Sequence, residues 1–208
     1  MSVDEWFRNK SWSPEIEGVF FEKLRRARAQ RDQYLVIQAL TLAPHEPKVS
    51  LRLVEHYFQT KTTDFDVVRA LLSRAESHVA LGDMPKAVES YKAVLDRETE
   101  RPGNRTNTYV DLPYLIAKRH LRDEYDFALK LLVERSKDLI FPIHHFKWEA
   151  SWALILADQG LENDARRHAR SAIKIGNIRK SGFRYHQDLG LVGKDEHEII
   201  KTLFRLGA

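Results

Sequence analysis

Apolar residues along this chain recur every three or four positions, and no stretch alternates with the period of two that marks a half-buried strand. Ser13-Pro14-Glu15 is a helix start, with a cap hydroxyl, proline at the first helical position and an acid in the first turn. Ile16, Val19, Phe20, Leu24 and Ala27 then share one face. A second helix carries Tyr34, Ile37, Gln38 and Leu40 and must stop near Pro44. Pro47 opens a third, with Leu53, Val54, Tyr57 and Phe58 inward. Asp64 is placed to cap a fourth (Val68, Leu71, Leu72, Ala75, Val79) and Asp83 a fifth (Ala87, Val88, Tyr91, Val94, Leu95).

The run from Arg101 to Asn107 is loop by composition. Beyond it, Asp111 is placed to cap a short helix with Leu112, Leu115, Ile116 and Arg119, and the next carries Tyr125, Ala128 and Leu132. Pro142 precedes a helix with Phe146, Glu149, Trp152, Ala153 and Leu156 that ends at Gly160. Another, with Ala165, Ala169, Ala172 and Ile173, stops near Gly176. Residues 181–193 read as an ordered loop, and an amphipathic helix with Ile199, Ile200, Leu203 and Phe204 inward closes the chain. About ten helices joined by short breaks predict an all-α fold of antiparallel helix pairs.

Composition narrows the chemistry. With 208 residues, 43% hydrophobic and 31% charged, the chain is long enough to bury its own core and too balanced to be disordered. No polar linker divides it, so a single unit over 1–208 is expected. It contains no cysteine, which excludes thiol nucleophiles, thiolate metal sites and disulfides. The first ten residues do not read as a signal peptide, and the longest apolar run, Trp152 to Ala157, is far shorter than the roughly 20 residues of a membrane span. A soluble cytoplasmic protein without membrane association is the expectation.

Three segments share a pattern. The first is Ala75, Gly82-Asp83, Ala87, Tyr91 and Val94-Leu95; the second is Ala153, Gly160, Ala165, Ala169 and Ala172-Ile173; a weaker third is Asp123, Tyr125, Ala128 and Leu132. In each, one helix ends at a small or polar residue and the next begins with an alanine that lets paired helices approach. The pattern, over residues 68–176, resembles the tetratricopeptide repeat, with spacings longer than that family's about 34 residues. The resemblance implies a short right-handed α-solenoid, with residues 1–13 as an aromatic lead-in and 177–208 as a loop and capping helix. It also implies a concave surface lined by first helices, here offering Arg69, Glu76, Lys147 and Asp158. The carboxylate-clamp lysine and asparagine positions of that family hold Leu72, Ala150, Glu76 and Leu154, so a clamp for a chaperone tail is not implied. The whole chain is also similar to an uncharacterised bacterial family of this length, through Trp6-Phe7-Arg8, Trp12, Ile16-Glu17, Gln33-Tyr34-Leu35 and Ser181 to His186. That likeness brings no activity with it.

Enzymatic signals are weak. His144-His145 are adjacent and diverge on a helix. His197-Glu198 begins a zincin-like motif without its second histidine, and no phosphate-cradling glycine loop appears. No catalytic residue, metal or cofactor is assigned. An enzyme with a pocket near Arg184 and His186 is the remaining catalytic alternative.

Charge is more informative. Between Ala165 and His186 lie seven Lys/Arg and no Asp or Glu, in a chain with 34 basic and 30 acidic residues. The positive balance therefore sits in one segment. Arg166, Arg170 and Lys174 form a stripe at i, i+4 and i+8, expected on the face away from Ala165, Ala172 and Ile173, and Arg184, Tyr185 and His186 follow. Such a segment is either a solvated face paired with acids elsewhere in the fold, a contact for a protein or peptide partner, or a nucleic-acid contact. The cluster Arg25 to Arg31 has a structural explanation at a helix C-terminus. The leading reading is a non-enzymatic interaction module of adaptor, immunity or regulatory type; nucleic-acid binding through 165–186 is the alternative.

Overall fold

The structure, a computed structural model, describes residues 5–208; the first four residues of the expected lead-in lie outside them. Among the described residues there are ten α-helices and no strand. No helix is long and apolar enough to cross a membrane. The chain divides into two compact units, one through Thr106 and one from Asn107, and the 68–176 span crosses that division.

The first unit holds α1 (Pro14–Arg26), α2 (Arg31–Leu42), α3 (Pro47–Thr60), α4 (Val67–Leu81) and α5 (Met84–Glu100). Ser13 Oγ accepts the Ile16 amide at 3.3 Å, and Asp83 Oδ1 accepts the Lys86 amide at 3.3 Å, so two of the three caps expected in this unit are present. Asp64 does not cap α4, which opens three residues later. Its carboxylate is held by Lys61 and by Arg97 Nη2 at 2.6 Å, because two cations within reach compete better than one amide. On α2 the buried face is Leu35, Val36, Ala39 and Leu42 with Gln38, whereas Ile37 and Leu40 are only half-buried. Helix α2 packs on α3 and α4, α3 on α4, and α4 on α5.

The lead-in is docked. Trp6, Phe7 and Trp12 pack against the core of Phe20, Leu24, Leu35, Val36, Leu53 and Tyr57, and Phe7 stacks on Tyr34 at 4.4 Å. Two carboxylates brace the loops. Asp32 accepts the Thr62 amide at 2.7 Å and hydroxyl at 2.8 Å; Glu98 accepts the Thr106 amide and hydroxyl, both at 2.6 Å.

The second unit holds α6 (Thr108–Lys118), α7 (Tyr125–Glu134), α8 (Pro142–Asp158), α9 (Glu162–Gly176) and α10 (His197–Gly207). Helix α6 begins three residues before Asp111, which instead pairs with Lys147 Nζ at 2.8 Å. Helix α6 packs on α7 and α8, α8 on α9, and α10 on α9 and α8. Ala150, Ala153, Ala169 and Ala172 are fully buried in one core with Phe146 and Leu203. Methyl groups alone at these positions allow α8 and α9 to approach closely. On α10, Leu203 is buried, with Ile199, Ile200 and Leu206 against the same core. Phe204, expected to face inward, is 55% exposed.

Three helix junctions have one geometry. Gly82, His120 and Gly160 adopt φ of 77°, 51° and 78°. In each, the next residue's amide reaches back five positions: Asp83 to His78 (2.9 Å), Leu121 to Ile116 (3.0 Å) and Leu161 to Leu156 (2.9 Å). This is the left-handed Schellman closure, which satisfies otherwise orphaned carbonyls. Glycine marks two of the closures in the sequence; at the third a histidine accepts the strained backbone.

Candidate interaction surface

Of the seven basic residues between Ala165 and His186, one has a carboxylate partner among the described residues: Arg167 meets Asp164 at 3.0 Å, one turn away on α9. Elsewhere in the chain cations are widely paired. Lys61 and Arg97 share Asp64, Arg97 also holds Glu100 at 2.5 Å, and Arg122 clasps Asp158 through two bonds of 2.7 and 2.8 Å. The first unit's cleft lined by Lys61, Asp64, Arg97 and Glu100 is therefore neutralised from within. The 165–186 segment is not.

Its helical part is α9. The amphipathic pattern of that helix turns Ala165, Ala169 and Ala172 into the core. Arg166 and Arg170 each follow a buried alanine by one residue, about 100° around the helix, so they flank the core stripe rather than oppose it. Arg166 is accordingly half-buried, with its Nε shielded and unpartnered. Arg170 lays its stem along Gly207 and donates from Nε to the Gly207 carbonyl at 2.9 Å, tying off the end of α10. Lys174 is exposed. The stripe is thus partly structural at its base and free at its charged tips, as long basic side chains allow.

The loop after α9 is ordered by its own hydrogen bonds. Buried Ser181 donates from Oγ to the His186 carbonyl at 2.7 Å, and its amide donates to the Gln187 carbonyl at 2.6 Å. Gly190, with φ 69°, accepts the Ile143 amide at 2.7 Å and lies so close to Phe141 that an added Cβ would meet its ring and Cβ at 2.5–2.7 Å. Phe141 in turn packs on Phe183, with centroids 5.4 Å apart. These anchors leave the outer side of the turn bare. Tyr185 is 80% exposed, the Arg184 guanidinium lies 5.3 Å from its ring centroid, and His186, Arg179 and Lys180 are exposed beside it.

The expected concave-surface residues are differently used. Arg69 contacts buried Asp66 at 3.3 Å, and burial pushes that carboxyl above its ordinary range. Glu76 is half-buried on α4 and engaged. Lys147 and Asp158, read from sequence as exposed, are held inward: Lys147 by Asp111 and over the Tyr114 ring, Asp158 by Arg122 and the Tyr125 hydroxyl. The hydrogen bond from Arg122 holds the Asp158 carboxyl below the usual range, and burial with that carboxylate raises the Tyr125 phenol to about 12. Both residues therefore brace helix pairs. In the Arg25 to Arg31 cluster, Arg25 and Arg26 lie in the last turn of α1, Arg26 meets Glu22 at 2.5 Å, and Arg31, which opens α2, reaches the carbonyl of Thr60 at the end of α3.

A buried polar group lies between α6, α8 and the turn before α10. Glu196, 5% exposed, accepts the Tyr114 hydroxyl and lies 3.8 Å from Lys118 Nζ. Burial raises the Tyr114 phenol far above its ordinary value, so it stays a donor. A histidine–carboxylate contact, His168 Nδ1 to Glu149 at 2.6 Å, is walled by Trp148 and Trp152. Among the described residues no group of three or more His, Asp or Glu is arranged to hold a metal ion.

Nothing in the sequence pattern of α10 marks Phe204 as a surface residue. The apolar positions on α10 fill more than one face, and only the contacts with α9 decide which is left outside. No protein family, curated protein or solved structure matches the chain significantly.

Proposed function

We propose that this chain is a non-enzymatic protein-binding module, of adaptor, immunity or regulatory type, that docks a partner on the cationic face formed by α9 and the 177–190 loop. The observation that carries this reading is the set of basic side chains from Arg166 to Arg184 with a single carboxylate partner among the described residues. Charges left uncompensated on an ordered surface favour an acidic partner and hasten encounter with it. A solenoid of antiparallel pairs, resembling tetratricopeptide repeats, is the architecture we infer within each unit. Its support is that helices touch both their neighbour and the helix after it (α2 with α4, α6 with α8), and that the Schellman closure recurs at Gly82, His120 and Gly160.

The stacked, exposed Arg184–Tyr185 pair supports a second reading, nucleic-acid binding, since bases stack on such platforms. One experiment separates the two. Lys174, Arg179 and Arg184 are replaced together by Glu; all three are exposed and hold no ion pair among the described residues. Affinity capture with wild type and variant, with and without nuclease, should return a stoichiometric protein bound by wild type, lost in the variant and resistant to nuclease. Capture unchanged by the substitutions overturns the cationic-face reading, and nuclease-sensitive capture replaces it with nucleic acid.

A further inference from the structure

The cationic stripe of α9 continues onto α10. Two contacts show which positions of these helices meet. Gly176 of α9 lies against Ile200 and Phe146, and Gly207 of α10 lies against Ile173 and Arg170. Phe204 is four residues after Ile200 and three before Gly207, so it occupies the same helical stripe as the two positions that touch α9. It stands on the α9–α10 seam, yet 55% of it is exposed and it takes no part in the core that Leu203, Ile199, Ile200 and Leu206 build.

The charges around that ring have one sign to spare. On α9, Asp164 is taken by Arg167 and Glu162 opens the helix, eight residues before Arg170; on α10, Glu198 is taken by Lys201 at 2.8 Å. Glu196, just before α10, is buried against Tyr114. Arg166, Arg170 and Lys174 have no carboxylate partner among the described residues, Arg205 shares only the field of Glu198, which Lys201 holds, and Arg170 keeps its two terminal nitrogens after its Nε bond to Gly207. The seam beneath the ring is aliphatic, with Ile173 and Ile200 half-buried along it. A large apolar side chain fits beside such a ring. A flat base has less to stack on there than on Tyr185.

Resting on the protein-binding reading above, we propose that the α9–α10 seam receives an acidic amphipathic segment of a partner protein. An apolar side chain of that segment seats on Phe204, and its carboxylates meet Arg170, Lys174 and Arg205. Buried apolar contact at the centre with charge pairs at the rim is the usual division of labour in such an interface.

The test uses the full chain and three fluorescent probes of equal charge at about 0.15 M salt, where distant charge attraction is screened. One is an amphipathic peptide of about 14 residues, four helical turns, with Leu on one face and Glu on the other. The others are an oligo-glutamate peptide and a single-stranded RNA. The amphipathic peptide should bind about tenfold more tightly than oligo-glutamate, about 1.4 kcal/mol. Phe204→Ala should erase that tenfold difference while leaving oligo-glutamate affinity and helicity unchanged. Arg205→Glu with Lys174→Glu should weaken both peptides. Equal affinity for the two peptides, or a ratio untouched by Phe204→Ala, overturns seam docking and leaves the cationic-face reading standing. Binding of RNA alone, or of no probe, overturns both.

Discussion

Asn9 and Gln38, 29 residues apart, satisfy each other. Gln38 Oε1 accepts both the backbone amide and the side-chain amide of Asn9 at 3.0 Å, and Gln38 Nε2 donates to the Asn9 carbonyl at 2.7 Å. Gln38 is 0% exposed, so the docked lead-in hangs on a buried amide with no water to replace it. Gln38→Ala leaves an amide and a carbonyl of Asn9 without partners and opens a cavity. The expected loss is about 3 kcal/mol, read as a lower urea midpoint, with faster proteolysis before Ser13.

His120 carries the left-handed backbone that Gly82 and Gly160 carry without strain. An L-residue there costs about 1 kcal/mol. His120→Gly should therefore raise the melting temperature, while Gly82→Ala and Gly160→Ala should each lower it. A lower melting temperature for His120→Gly would show that its side chain, 3.9 Å from Asp158, matters more than its backbone.

Acidification should act through His144. It is buried, its Nδ1 lies 3.0 Å from the Tyr109 hydroxyl, and that hydroxyl lies 2.8 Å from the Asp138 carbonyl. Burial lowers its pKa below the usual value of about 6.5. The folded state then binds fewer protons than the unfolded chain. This contribution to stability is complete above about pH 6.5 and falls as pH drops toward the lowered folded value. His56 and His78 are shifted the same way by burial, so the comparison needs a difference. Unfolding curves at about pH 7 and pH 5.5 should show a smaller acid loss in His144→Asn than in wild type.

Asp158 separates bracing from binding. Removing it frees Arg122, which is largely exposed, and Tyr125, which is not. Asp158→Ala should cost about 1 kcal/mol and leave partner affinity unchanged. A drop in affinity at constant stability would return this residue to the binding surface.

Tyr185 should do the opposite. It touches little but Arg184, so Tyr185→Ala should not move the melting temperature. If the loop is part of the docking face, affinity for the captured partner falls about tenfold, as for an aromatic anchor.

Helices were legible where the chain spends a specialised residue. Ser13-Pro14, Asp83, Gly82 and Gly160 each do locally what their residue types do elsewhere. Asp64 and Asp111 look the same in sequence but are claimed by Arg97 and Lys147, residues 33 and 36 positions away. No local pattern reports that competition. The basic segment was legible because acids are missing from it. Phe204 was not, since its exposure depends on how α10 lies on α9, and residues some thirty positions apart in the chain decide that contact.

Arg170 has one further consequence. Its Nε holds the Gly207 carbonyl, and the amide of Ala208, which caps α10, donates to the Phe204 carbonyl at 3.2 Å. The same guanidinium that faces outward therefore also clamps the last turn of α10. An anionic ligand that holds Arg170 in place slows fraying of that turn, and one that draws it away hastens it. Hydrogen exchange at Ala208 thus becomes a built-in reporter of occupancy, and its sign tells which geometry the ligand imposes.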